Sequence, residues 1–273
     1  MIAMNGALAT QQQPLGFRFP ADLRSADFSG RDLAGLDLSG RDLFGANLAG
    51  TDLSGAQLDR ANLTEARLEG ANLTAAKLEG ANLTAAKLEG ANLTGAQLPT
   101  ATLIGAHLEG ADLSGVQLDG ANLTHANLRD AVLSDATLEE ADLTGACLVK
   151  ADLTGANLCR ANFERCDLAQ ADLRGADLSY AWSLSGARFW RADLRGANLE
   201  GAGSGYTSAE EWQDSVTNRV WEHVIFYDDS APKYNRRAAN FRFAKLRGAT
   251  LGNGQYQLYL VDEREWIDCV DDD

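Results

Sequence analysis

Regularly spaced carboxylates are the side chains of this chain whose type and spacing could do chemistry. Glu69, Glu89 and Glu109 recur every 20 residues, each two positions after Arg67, Lys87 or His107. Asp59, Glu79, Asp119 and Glu139 recur at multiples of the same interval, and Lys77 is the only base in their neighbouring column. Paired acids catalyse proton transfer only when their surroundings push their proton affinities apart. None of these acids is set in a hydrophobic pocket, so no enzyme activity is expected. His107, His125 and His223 are the only histidines, and no Cys or second His stands at ligand spacing. No metal or other cofactor is therefore expected. Cys147, Cys159, Cys166 and Cys269 form no CxxC pair. The GAGSG run at 201–205 lacks the Gly-Lys-Ser/Thr ending of a phosphate loop and reads as an exit from regular structure. Five Asn-x-Thr triplets, at Asn62, Asn72, Asn82, Asn92 and Asn122, follow automatically from the spacing of the chain.

The chain has 273 residues and a net charge of −15, from 39 acids against 24 bases. Acidity of this size argues against direct nucleic-acid contact or an anionic membrane surface, since both attract clustered Lys and Arg. No run reaches the roughly 18–20 apolar residues of a membrane span. The first residues carry no basic stretch ahead of an apolar one, so a cytoplasmic protein is expected. The large aromatics are unevenly placed: every Trp and Tyr lies at or after Tyr180. Something small and repetitive must pack the first two-thirds.

That element is a five-residue period. From Leu23 to Leu178 every fifth residue is Leu, with Phe28 and Phe163 the exceptions, over 32 positions without an insertion. Ala stands two residues earlier in 26 of them, the others being Arg31, Leu36, Arg41, Thr51, Val116 and Cys166. Asp or Asn usually precedes the Leu, and Gly often closes the unit. The register then slips by one residue and continues through Leu184, Phe189, Leu194 and Leu199, with a further short run at Phe241, Leu246 and Leu251. Period five fits neither a helix nor a simple strand. It fits a short extended piece and a corner, with Ala and Leu inward and the intervening residues outward.

The units ADLSG, ANLTG, ADLRG and ANLEG resemble the tandem repeats of the pentapeptide-repeat family. The resemblance covers residues 21–200 strongly and 239–253 weakly. It implies an all-β solenoid, a right-handed quadrilateral parallel β-helix of about nine coils with four repeats each. With charged outward columns and no residues set for chemistry, the residues themselves are read as a non-enzymatic rod that binds another protein through a face or its C-terminal cap. Several family members resemble B-DNA in width, shape and charge and bind DNA gyrase or topoisomerase IV, protecting against inhibitors. The alternative implied here is therefore a DNA-mimic that modulates those enzymes, as in antibiotic self-resistance. Quinolone-resistance members have loops projecting from the coils, and residues 23–178 have none.

Residues 20 apart should share a column. The two acidic columns opening this section then lie on opposite faces, and the other two faces carry neutral Asn-Leu-Thr units. Two readings of the acid columns stay open: a surface kept soluble by excess charge, or a stripe presented to a basic groove. Asp residues also crowd both ends of the run. Arg31 and Arg41 fall on inward positions, where burial without a partner is costly, so loose first coils are expected, with the guanidinium groups reaching the open end. Pro99 should sit at a corner, and Cys166 should be a small core residue.

Residues 1–20 are expected to form an N-terminal segment, 21–200 the β-helix, 201–238 an insertion, and 239–273 a partial coil and mixed α/β cap. Ser208 and Glu211 make a capping box, and Ala209, Trp212, Val216 and Val220 follow helical spacing, which predicts a helix over about 208–221. Two readings are again open: a simple cap, or a dimer or partner surface formed by Trp212, Trp221, Arg236, Arg237, Tyr256, Tyr259 and Trp266.

Overall fold

The computed structural model describes residues 22–202 together with 244, 245 and 249. The N-terminal segment, the 208–221 helix and the residues of the C-terminal surface named above lie outside them.

Every five residues the chain turns a corner, and every fourth corner brings it back over itself. Asp22 bridges Asp42, Asp42 bridges Asn62, and so on in parallel register, always 20 residues apart as far as Asn157 and Asp177. Four walls result, running through Leu23, Phe28, Leu33 and Leu38 of the first coil. Hydrogen bonding explains why the unit has five residues. In unit 51–55 the Thr51 N–H closes the turn on Leu48 C=O at 3.1 Å, and Asp52 N–H reaches back to Arg31 C=O at 2.9 Å. Leu53 and Gly55 donate forward to Asn72 and Thr74 C=O at 2.7 and 2.9 Å. Ladder and turn thus satisfy four of five amides. The fifth, Ser54 N–H, donates to the Asp52 carboxylate at 3.0 Å. Buried or half-buried amides must find acceptors, so an Asp or Asn ahead of the Leu, where one stands there, completes the unit.

Each corner is a four-residue turn whose third residue has positive φ, the type II arrangement. Twenty of these corner residues are Gly and sixteen are not, Thr100 (φ 56) and Ala75 (φ 54) among them. Pro99 occupies the second turn position between Leu98 and Thr100, where the ring's fixed φ fits and the ladder asks for no N–H. Its carbonyl still accepts from Gly80 N–H at 3.0 Å.

Inside, the central Leu and the Ala before it are sealed. Every inward Leu and Ala from Leu43 to Leu178 is 0–1% exposed. Large aromatics have no room in so narrow a core, and Phe163 and Phe189 enter it only by taking a Leu place. Cys166 takes an Ala place, and burial pushes its thiol well up. Thr51, also inward, is fully buried because its hydroxyl donates to Phe28 C=O at 2.9 Å. The first coil is not loose: Leu23, Ser25, Phe28 and Gly30 donate to the second coil at 2.6–2.9 Å. Arg31 and Arg41 are half-buried on that bonded frame.

The one-residue slip is a bulge. Trp182 and Ser183 together oppose Asn162: Trp182 N–H donates to Ala161 C=O at 3.0 Å, while Ser183 C=O accepts from Phe163 at 2.9 Å. The surplus residue turns out into solvent, and Trp182 is 56% exposed. Beyond it the interval is 21, as in Asp167 with Arg188. Asp193 then pairs with Lys245, 52 positions on. Leu194 N–H donates to Lys245 C=O at 2.7 Å, and Lys245 N–H to Ala192 C=O at 2.8 Å.

Candidate functional site

The outward side chains do two jobs, and the structure separates them. Most Asp residues ahead of a Leu are structural acceptors. Asp27, Asp112, Asp142 and Asp152 each accept the amide two residues on at 2.9–3.0 Å and the Ser or Thr hydroxyl of the same residue at 2.5–2.7 Å. Asn does the same without charge, as Asn122 does for Thr124 at 3.0 and 2.6 Å. Asn also bridges coils by donating to the Asp one coil back, as Asn62 does to Asp42 at 2.8 Å and Asn72 to Asp52 at 3.0 Å. These bonds hold the ionised form. The Ser114 and Ser29 hydroxyls lower the proton affinity of Asp112 and Asp27, and the Ser54 amide lowers that of Asp52. Arginines two residues on act likewise. Arg24 holds Asp22 down at about 2, and Arg174 and Arg195 lower Asp172 and Asp193.

Counting charge by wall corrects the sequence reading of two neutral and two acidic faces. Each wall is taken with the corner that follows it, within residues 22–202. The wall through Phe28 holds Glu69, Glu89 and Glu109, yet it is neutral: its six acids meet Arg67, Lys87, Arg129, Lys150, Arg188 and Arg191. The wall through Leu33, expected neutral, has seven acids (Asp32, Asp52, Asp112, Asp135, Asp152, Asp172, Asp193) against Arg31, Arg174 and Arg195, a balance of −4. The wall through Leu38 has eight acids against Arg60, Lys77 and Arg160, or −5. The wall through Leu23 has five against Arg24, Arg41 and Arg165, or −2. The Asn-Leu-Thr consensus hid the third wall, because Asp and Asn are equivalent acceptors in the turn.

The two acidic walls are adjacent. The corner they share is the smoothest of the four: Gly35, Gly55, Ala75, Gly95, Gly115, Asp135, Gly155, Gly175 and Gly196. Apart from Arg174 and Arg195, which precede Gly175 and Gly196 and pair with Asp172 and Asp193, no side chain longer than Asp rises along that edge.

The acids singled out from sequence are distributed as follows. Asp59, Glu79, Asp119 and Glu139 share the wall through Leu38, with Pro99 interrupting the column. Asp59 and Asp119 accept the amides of Glu79 and Glu139, one coil on, at 2.9 and 3.0 Å. Asp119 also accepts from Thr137 at 2.7 Å. Arg160 pairs with both Glu139 and Glu140. On the neutral wall Arg67 faces Glu69 at 3.3 Å and His107 faces Glu109 at 3.7 Å. Glu89, His107 and Glu109 offer ligand atoms all within 4.8 Å of one another. The sequence reading, which sought Cys or a second His, missed this group. The signal was the 20-residue interval between two Glu that flank a His.

Comparisons with known proteins agree with this architecture. The chain is similar to HetL, a pentapeptide repeat protein involved in heterocyst differentiation regulation from the cyanobacterium Nostoc sp. strain PCC 7120. Identity is 34% and the TM-score 0.55, over 86% of this chain and 91% of that one. QnrB1, a plasmid-mediated fluoroquinolone resistance protein, matches at 16% identity and a TM-score of 0.42, over 84% and 94% of the two chains. A pentapeptide repeat protein from the thylakoid lumen of Arabidopsis thaliana matches at 26% and 0.21, over 38% and 73%. No curated protein sequence matches. The family model for pentapeptide repeats matches in eight copies, in consecutive segments from residue 21 to residue 202. The chain therefore belongs to the pentapeptide repeat family, whose proteins of known structure are β-helices.

Proposed function

We infer that this chain is a non-enzymatic binding rod whose two adjacent acidic walls engage a basic groove on a partner protein. One observation carries the reading: two walls at −4 and −5 meet along an edge whose positive-φ residues are Gly, Ala and a single Asp. Field lines from both walls add at that edge, and from Ala34 to Gly155 no bulky residue there holds a partner away. Asp59, Glu79, Asp119 and Glu139 belong to this surface. Glu69, Glu89 and Glu109, on the neutral wall, do not.

The alternative is that the groove belongs to DNA gyrase or topoisomerase IV and the rod stands in for DNA. The acidity of two neighbouring walls and the family resemblance favour it, and a protective role against inhibitors would follow. A cytoplasmic location, a right-handed rod of about nine coils, a mixed α/β C-terminal cap and homodimerisation through that cap belong to the same proposal. HetL's involvement in regulation is in keeping with action by binding.

The test uses the interchangeability of Asp and Asn. A variant carrying Asp32→Asn, Asp52→Asn, Asp112→Asn, Asp152→Asn, Glu79→Gln and Glu139→Gln keeps the turn acceptors and loses six charges. Wild type should protect gyrase supercoiling from a quinolone, or retain a salt-sensitive partner that the variant does not. Equal behaviour of the two proteins in both assays would end the acidic-wall reading. Retention of a partner without any effect on gyrase would end only the topoisomerase one.

A further inference from the structure

We propose that Glu89, His107 and Glu109 bind a divalent transition-metal ion of the zinc class on the neutral wall, stapling two consecutive coils. Bridged residues Lys87 and His107 set the two coils side by side, so Glu89 and Glu109 follow on neighbouring rungs of one column. Carboxylates stacked at the strand spacing of about 4.8 Å repel one another. Counter-charges along this column are unequal. Arg67 faces Glu69 and His107 faces Glu109, whereas Glu89 has no ion pair among the described residues. Lys87, two residues before it, makes none either.

A second observation is independent of charge. Glu69, Glu89 and Glu109 each turn one oxygen, Oε2, out of solvent with no hydrogen-bond partner. A shielded carboxylate oxygen without a donor costs free energy; on Glu109 it stands beside the Oε1 that faces His107, within reach of an ion held by the same carboxylate. The column is not simply acidic either, since an imidazole nitrogen stands among the oxygens.

The geometry suits a small ion. With zinc–ligand bonds of about 2.0–2.1 Å, ligand atoms of a tetrahedral site lie about 3.3 Å apart. His107 Nδ1 and Glu109 Oε1 are already at 3.7 Å, and the whole set lies within 4.8 Å. Closing the difference needs only side-chain rotation. Asn127 Nδ2 donates to the same Glu109 oxygen at 2.5 Å, a contact from the next coil that orients the carboxylate as outer partners of metal ligands do. One nitrogen and two carboxylates favour zinc, cobalt or nickel over magnesium or calcium, which take oxygen donors. Three protein ligands leave a fourth position for water. The rod gains a clamp at mid-length, added to the backbone ladder, the leucine packing and side-chain bonds such as that of Asn127 to Glu109.

Calorimetric titration of the full-length, chelator-treated protein with zinc chloride, and cobalt chloride absorption spectroscopy, test this. One saturable site per chain is expected, with a tetrahedral cobalt spectrum and a raised melting temperature under zinc. His107→Gln and Glu89→Gln should each weaken binding at least tenfold while the circular dichroism stays unchanged. His125→Gln, removing a corner imidazole elsewhere, should leave it unaltered. Absence of a saturable site, retention of binding in His107→Gln, or equal binding of magnesium would each overturn the proposal. Because the acidic walls are untouched by these substitutions, the partner-binding assay above should not respond to them.

Discussion

The carboxylate of Asp52 accepts the backbone N–H of Ser54 at 3.0 Å, the one amide of its unit that ladder and turn leave over. The same oxygen accepts Asn72 Nδ2 from the next coil, also at 3.0 Å. One atom therefore closes a corner and ties two coils. Acidity in this chain is in large part a by-product of that service, and only its distribution among walls is free to carry a message.

Asp152 gives the cleanest test of the acceptor role. Asp152→Asn keeps an oxygen for Thr154 and should change stability by less than about 0.5 kcal/mol. Asp152→Ala strands the amide and the hydroxyl and should cost about 1–2 kcal/mol, by analogy with loss of a helix cap. Urea denaturation of the two variants against wild type checks the order.

Acid should loosen the rod. Asp22, Asp27, Asp52, Asp112, Asp172 and Asp193 have proton affinities depressed by their hydrogen bonds, Asp22 to about 2. A depressed carboxyl adds stability above its unfolded value, near 3.9, and that stability disappears as pH falls through the folded value. The melting temperature should therefore drop as pH is lowered from about 4 towards 2. The corresponding Asp→Asn variants should show a shallower drop, measured by thermal melts across that window.

Corners can be improved. Ala75, Ala85 and Thr100 hold φ values of 53–56°, which only glycine adopts freely. Ala75→Gly and Thr100→Gly should each raise stability by about 0.5–1 kcal/mol. Gly201→Ala should do the reverse, by about 2 kcal/mol, since its φ is 66° and a Cβ would stand 2.5 Å from the Tyr180 ring. Adding Tyr180→Gly to that variant should recover part of the loss in the same melts.

Thiol labelling reads the core directly. Cys166 is fully buried with a raised thiol, whereas Cys147 and Cys159 are half-buried. Under native conditions iodoacetamide should modify Cys147 and Cys159 and spare Cys166, which should react only after unfolding. Peptide mass spectrometry distinguishes these outcomes.

The core was readable from residues alone because Leu at every fifth position and Ala two before it leave one inward arrangement. Pro99 at a corner, Cys166 in the core and the slip after Leu178 were legible for the same reason. The role of Asp and Asn was not, since it depends on knowing which amide the ladder leaves unclaimed. Wall charge was obscured by the same equivalence: Asp32 and Asn72 look alike as turn formers and differ only in what they show to solvent. The Glu89, His107 and Glu109 group needed the coil interval to bring residues 20 apart side by side. The tightness of the first coil was misjudged because Arg31 and Arg41 were weighed as buried charges, while backbone bonds, with the Thr51 hydroxyl and the Asn47 amide, hold that coil to the next.

The Trp182 bulge and the Thr51 hydroxyl have a consequence for how such a chain finds its structure. Residues 71–80 and 81–90 are identical, and leucines cannot distinguish one coil from the next. A strand laid down one coil too early would bury the same side chains. The irregular places break that degeneracy. Thr51 satisfies its hydroxyl only on Phe28 C=O, and the surplus Trp182 is accommodated only opposite Asn162. These positions act as index marks on an otherwise unmarked ruler. Erasing them should leave the stability of the finished rod nearly intact while multiplying the mispaired states from which it must escape during folding.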